Sequence, residues 1–435
     1  MQAVEFPSSL TPVRVWAASL SGHVGTSVQI AGWLHRYRRL GRISFLILRD
    51  RSGLAQIVID DPALQTEISR LGNESVLVVE GVVTSEPQAP GGVEIHGPQI
   101  EVLAAVDEQL PFELFMPEIP AQLPTILDHG AIGNRHPERR SYFQLASALV
   151  RGFRSGLDEA RFTEIFSPKL VGSATESGSN VFEMEYFGRS AYLAQSPQFY
   201  KQMMVGVFER VFEVGPVFRA EPHDTIRHLN EYVSLDAEMG FILDHRDVMA
   251  VLRDVIASMI SEARLVAGDH YEIPAVPAEI PVIHFGDAMD LLGHADGETD
   301  DLAPSDEREL GRWAVEEHGS DWLFVSGYPM SKRPFYTHPD PDRPGYSRGF
   351  DLLFRGLELV TGGQRLHLYA DYLQALERHS LSADGMEGYL EAFKYGMPPH
   401  GGFAIGLERF VARLTGVDNV RQVTLFPRTM TRLEP

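Results

Sequence analysis

The chain has no cysteine in its 435 residues, which excludes disulfides and thiolate-held zinc and fits a reducing compartment. No apolar run approaches the length of a membrane span. The opening residues, Met1 to Pro7, have neither the basic stretch nor the apolar one that directs secretion. Both features point to a cytoplasmic protein with no membrane partner. There is no Gly-x-x-x-x-Gly-Lys sequence and no repeating βαβ pattern, which argues against a doubly wound nucleotide fold. No His-x-x-x-His helix stands out as a metal site, and no internal repeat is present. Positive charge is scarce, with 38 Lys and Arg against 60 Asp and Glu and a net charge of −22. Such a balance argues against nucleic acid spread over the whole surface and restricts it to local basic patches.

What is present divides the chain. With 44% hydrophobic and 23% charged residues, it has an ordinary globular composition and room for two or three domains. Residues 1–105 carry five short β-rich runs: Val28–Leu34, Ser44–Leu48, Leu54–Ile59, Val76–Val83 and Gln99–Leu103. Five strands with glycine-containing turns predict an OB-fold barrel, a common reader of single-stranded nucleic acid. Residues 106–135 contain Pro111, Pro117, Pro120 and Pro124 and read as a hinge or linker. From 136 to 435, helical patterns alternate with antiparallel strand signals. The expected fold class is therefore α+β, a five-stranded barrel followed by a domain with an antiparallel sheet flanked by helices. The one dense basic run, Arg36 to Arg42 with Arg49 and Arg51, falls in the barrel. It is either the docking patch for an RNA or a solvated charged loop.

The most informative segment runs from Phe218 to Met239. Alternation places Arg219 and Glu221 on one face of a strand, and Asp236 and Glu238 on one face of the strand that returns. Between them lies a polar loop with Arg227 and His228. A fixed cation, a mobile Arg/His loop and several carboxylates suit a nucleoside triphosphate; an antiparallel hairpin with a solvated charged face is the plainer alternative. Near the C-terminus, Gly401 to Arg409 reads as turn, short strand and helix start, with Leu407, Phe410, Val411 and Leu414 buried and Gly416 closing the helix. Arg409 then sits in the first helical turn, where backbone N–H groups and the helix dipole favour phosphate.

With the long amphipathic segment Arg139–Leu157 and the following Phe162 to Pro168, these segments resemble, in order and spacing, motifs 1, 2 and 3 of the class II aminoacyl-tRNA synthetases. The resemblance covers nearly the whole chain. It narrows to the aspartyl-tRNA synthetases, whose motif the segment Ala194 to Gln202 closely resembles, and to their short archaeal and eukaryotic type, since only about 160 residues separate motifs 2 and 3. It implies an ATP-dependent ligase that forms aspartyl-adenylate and transfers aspartate to tRNA(Asp). In such an enzyme Arg219 bridges the α-phosphate and the amino-acid carboxylate, Arg409 holds the γ-phosphate and Glu221 accepts from the adenine amino group. Arg227 and His228 close over the phosphates. Glu358 and Thr361 match the family's magnesium ligands; a salt-bridged strand carboxylate is the alternative for Glu358.

The same resemblance assigns the aspartate pocket to Glu176, Ser196, Gln198, Lys201, Arg219, Asp236 and Arg365. Lys201 and Arg365 would face the substrate's side-chain carboxylate, and asparagine would leave them unpaired; a purely structural Lys/Arg pair is the alternative. Ser196, Gln198 and Asp236 would hold the α-ammonium, and Glu176 would close over it. Arg161 stands where the family often has glycine, while Pro168 matches the dimer-interface proline and implies a homodimer.

In the barrel the resemblance makes Phe45 a stacking platform for an anticodon base, or else a core residue. Gln56 would hydrogen-bond to a base, and Arg38 would hold backbone or base. His35 and Pro90 occupy positions where discriminating enzymes tend to carry Trp and Lys. Smaller or neutral groups there resemble enzymes that also charge tRNA(Asn), whose product then passes to a tRNA-dependent amidotransferase. A plain surface residue of the barrel is the alternative for His35, and an enzyme specific for tRNA(Asp) is the alternative function. An amidoligase making free asparagine and a silent tRNA-binding paralogue are the remaining readings. The barrel argues against the first, and the retained Arg219, Glu221, Glu358 and Arg409 argue against the second.

Overall fold

The computed structural model describes residues 14–172, 180–268, 270–295, 297 and 299–434. The chain divides into two compact units, Met1–His136 and Pro137–Pro435, and each has its own apolar core.

The first unit is a closed barrel of β1 (Ser27–Leu40), β2 (Ile43–Arg49), β3 (Leu54–Ile59), β4 (Val76–Ser85) and β5 (Val93–Ala104), in the order β1-β2-β3-β5-β4. Alternation directs Val28, Ile30, Leu46, Leu48, Ile57, Leu77, Val79 and Ile95 inward to a single core. Residues after the barrel add the short helices Leu123–Asp128 and Gly130–Gly133 and a small cluster around Phe112, Leu114 and Ile126.

β1 does not pair evenly with β2. The register shifts between Leu34 and Arg36, because the Leu34 N–H donates to Ser75 O and the Glu74 N–H to Leu34 O. His35 is the extra residue of this bulge. The sequence reading presents it on the RNA-facing surface; in the structure it is only 8% exposed. Its Nδ1 lies 3.3 Å from Arg49 Nη1, and Arg49 forks onto both oxygens of Glu74 at 2.8 Å. Burial first, and then the Arg49 charge, lowers the His35 pKa to about 4.

The second unit is built on an eight-stranded sheet. Its strands are β6 (Thr163–Glu164), β10 (Arg210–Phe218), β11 (Glu231–Gly240), β12 (Val282–His284), β13 (Trp322–Ser326), β14 (Gly349–Phe354), β15 (Glu358–Arg365) and β16 (His400–Gly406). Their order is β12-β13-β14-β15-β16-β11-β10-β6. The six inner strands are antiparallel, as expected. The two edges are not: β6 lies parallel to β10, and β12 parallel to β13. Both edge pairs are joined by long crossovers rather than hairpins, which is what parallel neighbours require. A separate small sheet holds β7 (Leu170–Val171), β8 (Glu183–Tyr186) and β9 (Arg189–Leu193).

Two 23-residue helices, Pro137–Glu159 and His245–Ala267, share the main core with this sheet. They approach so closely at Gly152 that an added Cβ would lie 2.5 Å from Met259 Cα. Arg161, at the position where the family often has glycine, has φ 62°. A left-handed backbone explains that preference, and the arginine carries the strain of the turn into β6.

The buried imidazole of the barrel gives a stability test. An unfolded chain takes up the His35 proton near pH 6.5, whereas the folded barrel resists it down to about pH 4. Between those values the unfolded state binds more protons, so this contribution is complete above pH 6.5 and disappears as pH falls. The urea stability gap between the native chain and a His35→Asn variant should shrink by roughly 1–3 kcal/mol from pH 7.5 to pH 4.5. A gap that does not change with pH would contradict the buried, neutral state.

Candidate active site

A cavity of about 380 Å³ opens over the centre of the second unit's sheet. Its walls come from β11, β15 and β16, the loop between β10 and β11, the start of the helix Gln198–Phe208 and the start of the helix Leu407–Thr415. Ser196, Gln198, Arg219, Glu221, Arg227, His228, Asp236, Glu358, Thr361, Arg365 and Arg409 all line it. Residues spread from Ser196 to Arg409 in the sequence therefore converge on one space. Glu176 lies outside the described residues.

At one end sits a buried layer of charge. Asp236 and Glu238 leave β11 on the same face and are 1% and 0% exposed. Lys201 donates to Asp236 Oδ1 at 3.0 Å, Phe403 O at 3.1 Å and Ala237 O at 3.4 Å, and lies 3.4 Å from Glu238 Oε2. Arg365 donates through Nε to Glu238 Oε1 at 3.1 Å and through Nη2 to Gly402 O at 3.2 Å. The charges of these four residues cancel. The sequence leads to the expectation that both cations face the substrate's side chain; here each is paired with a protein carboxylate. Arg365 is in the wall, whereas Lys201 lies behind it with its three N–H groups directed at protein acceptors. Gln198 accepts weakly from Arg365 at 3.5 Å, and its own buried amide nitrogen has no partner.

This layer needs glycine at 402. An added Cβ there would fall 2.1 Å from Glu238 Oε2 and from Ala237 O. The side chain absent from β16 is the space that the Glu238 carboxylate occupies.

The middle of the cavity belongs to the β10–β11 hairpin. β10 ends at Phe218, whereas the expected strand ran on to Glu221, so Arg219 and Glu221 lie on the loop that follows rather than on one face of a strand. The loop is still fixed: the Arg219 N–H donates to Asn230 O, and the Asn230 amide donates back to Arg219 O at 2.8 Å. Arg219 lies 3.8 Å from Glu221, with its guanidinium 5.7 Å from the Tyr232 ring. His228 Nε2 is 3.6 Å from the other Glu221 oxygen. Burial lowers the His228 pKa while Glu221 opposes it. The loop tip is held by the C-terminal segment, through Val420 N–H to Ile226 O and Arg421 to Asp224.

At the far end Arg409 occupies the first turn of its helix, as the sequence predicts. It donates to Glu358 O at 3.0 Å and lies 3.7 Å from the Glu358 carboxylate. Glu358 lines the cavity, with 41% of its side chain open. Its pKa is pushed up to about 7, by desolvation first and then by Asp351, with Arg409 opposing. Glu307 accepts from the Glu358 N–H at 2.9 Å, and burial raises its pKa too. Asp351 accepts from Thr361 and, at 3.1 Å, from Arg333. Among the described residues no three His, Cys, Asp or Glu side chains form a ready metal cage. The cavity instead offers carboxylates in mutual repulsion beside cations.

Several cavity residues were not singled out by sequence reasoning. Tyr232, the second residue of the returning strand, lines the cavity. Arg333 and Tyr336 come from the segment between β13 and β14, which holds none of the motifs above. Glu408 accepts the Val233 N–H at 3.1 Å from both oxygens and has its pKa raised to about 7 by burial. Its place beside Arg409 was the available signal.

In the barrel, register pairs Arg38 with Phe45, and the guanidinium sits 6.0 Å from the half-buried ring. Gln56 is 9% exposed and donates to Glu94 at 3.0 Å. Pro90 opens the short turn Pro90–Gly92. Arg38 and Phe45 thus stand together, while Gln56 is engaged within the barrel.

Comparison with known proteins agrees with this architecture. Residues 28–103 match the family described as OB-fold nucleic acid binding domain, and residues 123–430 match tRNA synthetases class II (D, K and N). A Thermus thermophilus protein named aspartate–tRNA(Asp/Asn) ligase is 48% identical over 97% of this chain and 100% of its own length. A Pyrococcus abyssi aspartate–tRNA(Asp) ligase is 37% identical over 94% of this chain and 97% of its own. Among solved structures, asparaginyl-tRNA synthetase from Pyrococcus horikoshii, complexed with asparaginyl-adenylate, aligns at a TM-score of 0.87. It is 32% identical, over 95% of this chain and 97% of that one. The chain belongs to the class II tRNA synthetases of the D, K and N group and carries an OB-fold nucleic-acid-binding domain ahead of its catalytic domain.

Proposed function

We propose that the chain is an aspartate–tRNA ligase of the cytoplasm that charges tRNA(Asp) and also tRNA(Asn). The observation that carries the amino-acid assignment is Arg365 in the cavity wall with Asp236 nearby. One side offers a cation to a side-chain carboxylate, the other a carboxylate to the α-ammonium. A lysine substrate would meet like charge at Arg365. An asparagine side chain would leave a buried guanidinium without a charged partner beyond Glu238.

In this reading ATP spans the rest of the cavity. Arg219 lies between the nucleotide and amino-acid regions and would hold the α-phosphate against the attacking carboxylate. Tyr232 would face adenine and Glu221 its amino group, with Arg227, His228 and Arg409 around the outer phosphates. The amino-acid carboxylate oxygen bonds to the α-phosphorus as the bond to the bridging oxygen breaks and pyrophosphate leaves. A terminal ribose hydroxyl of the tRNA then attacks the carbonyl carbon and AMP departs. Alignment and charge neutralisation supply most of the rate. Magnesium fits Glu358 and Thr361, because a cation would offset the desolvation and the Asp351 repulsion that raise the Glu358 pKa. When bound it would neutralise phosphate charge, with water and substrate oxygens completing its shell.

Residues 1–105 would read the anticodon through Arg38 and Phe45, and 106–135 would connect the two functions. The dual tRNA assignment follows the Thermus relative's name and the absence of Trp at His35. With that histidine buried, it would shape the barrel surface rather than touch a base. A specific tRNA(Asp) ligase is the second reading, favoured by the name of the Pyrococcus abyssi relative. Charging of tRNA(Asn) implies a downstream amidotransferase. Phe166, Phe241 and Leu243 are 81%, 72% and 87% exposed along the β6–β10–β11 edge, which supports a homodimer with Pro168 in its contact.

Two assays test this account together. Pyrophosphate exchange into ATP should require aspartate, and an Arg409→Ala variant should lower it by ~10²-fold or more; exchange driven equally by asparagine would refute the amino-acid assignment. Comparable charging of separate tRNA(Asp) and tRNA(Asn) transcripts supports dual specificity. Charging of tRNA(Asp) alone would leave the chemistry and remove the second tRNA.

A further inference from the structure

Behind the charged layer lies a polar chain that no substrate reaches. Gln202 follows Lys201 on its helix and is 0% exposed. Its amide nitrogen donates to His400 Nε2 at 3.0 Å and to the Tyr372 hydroxyl at 3.1 Å. Its oxygen accepts from the Tyr389 hydroxyl at 3.0 Å. Tyr372 in turn donates to Leu366 O at 3.0 Å, the carbonyl next to Arg365. His400 Nδ1 donates to Pro398 O at 2.9 Å, and His400 is the register partner of Arg365 across β15 and β16.

The one hydroxyl hydrogen of Tyr389 has two acceptors in reach, Gln202 at 3.0 Å and the Tyr372 hydroxyl at 3.1 Å. The two amide hydrogens of Gln202 serve His400 and Tyr372, so His400 must present an unprotonated Nε2. Its pKa is lowered to about 4, chiefly by complete burial. The chain sits among apolar and aromatic side chains: Phe199 stacks on Tyr389 at 4.1 Å, and Phe393 packs on Tyr372 at 4.1 Å. Stability alone does not call for it, because a wholly apolar core of the same shape is as stable as a satisfied polar one. Its location is informative. The chain ties the Lys201 helix, the end of the Arg365 strand and the start of β16 to one another.

We propose that Gln202, Tyr372, Tyr389 and His400 are a positioning relay that holds Arg365 and Lys201 in place for the substrate's side chain and sharpens the choice of carboxylate over amide. This rests on the aspartate reading above. The relay touches no reacting atom, so loosening it affects amino-acid recognition and leaves the ATP end of the cavity intact.

Tyr372→Phe keeps the ring and removes the hydroxyl that joins Gln202 to Leu366; Gln202→Met breaks the centre of the chain. In pyrophosphate exchange, each should raise the KM for aspartate by ~10- to 100-fold. The KM for ATP and kcat should stay within about twofold, and the aspartate-to-asparagine preference should contract. If Gln202→Met does not fold, Tyr372→Phe decides. An unchanged aspartate KM and preference, or a fall in kcat alone, overturns the relay. Should the native enzyme activate asparagine instead, the aspartate reading fails, and the same split between amino-acid KM and ATP KM still decides the relay.

Discussion

The pairing of Lys201 and Arg365 with Asp236 and Glu238 is the constraint around which the catalytic unit is arranged. Four charges are held away from water, and a charge left alone there would cost several kcal/mol. They therefore require one another, and each requires its strand or helix in register. β11 supplies both carboxylates because alternation sends residues 236 and 238 to one face. β16 must be glycine at 402 to make room for Glu238. β15 ends at Arg365, beside the same carboxylate. The helix Gln198–Phe208 brings Lys201 underneath and Gln198 into the wall.

Neutralising the cations in advance has a chemical consequence. A layer that already balances does not bind a carboxylate by bare attraction. It offers a rigid guanidinium fork whose orientation is set by Glu238 and the Gly402 carbonyl. Selectivity then depends on how firmly that fork is held. The opposite end of the cavity is less balanced. There Glu358, Glu307 and Asp351 crowd together beside Arg333 and Arg409, and desolvation first, then Asp351, raises the Glu358 pKa. Such a region is suited to a cation and a triphosphate that arrive and leave.

Much of this was legible in the sequence. The barrel strands follow from alternation and turn chemistry, and β3 was read with both boundaries correct. The helix carrying Arg409 followed from apolar spacing and from Gly416, whose φ of 73° caps it. β5 was read at only half its length, since Gly97 and Pro98 interrupt the pattern while the strand continues through a register shift. The parallel edges of the sheet escaped because two- and three-residue strands carry no periodic signal. Long-range pairing was the larger gap. Spacing puts Asp236 and Glu238 on one face, but nothing local reveals that Lys201 turns toward both, or that a bulge buries His35.

The central claim is that Glu238 orients Arg365 for the amino acid's side chain, and the Glu238→Gln variant tests it most directly. Its shape is nearly unchanged, but two buried cations are left with one carboxylate. Aspartate-dependent pyrophosphate exchange should fall by ~10²-fold or more through aspartate recognition, with the KM for ATP unchanged. Exchange within twofold of the native enzyme, at the native aspartate KM, would show that Arg365 is oriented without Glu238 and contradict the account.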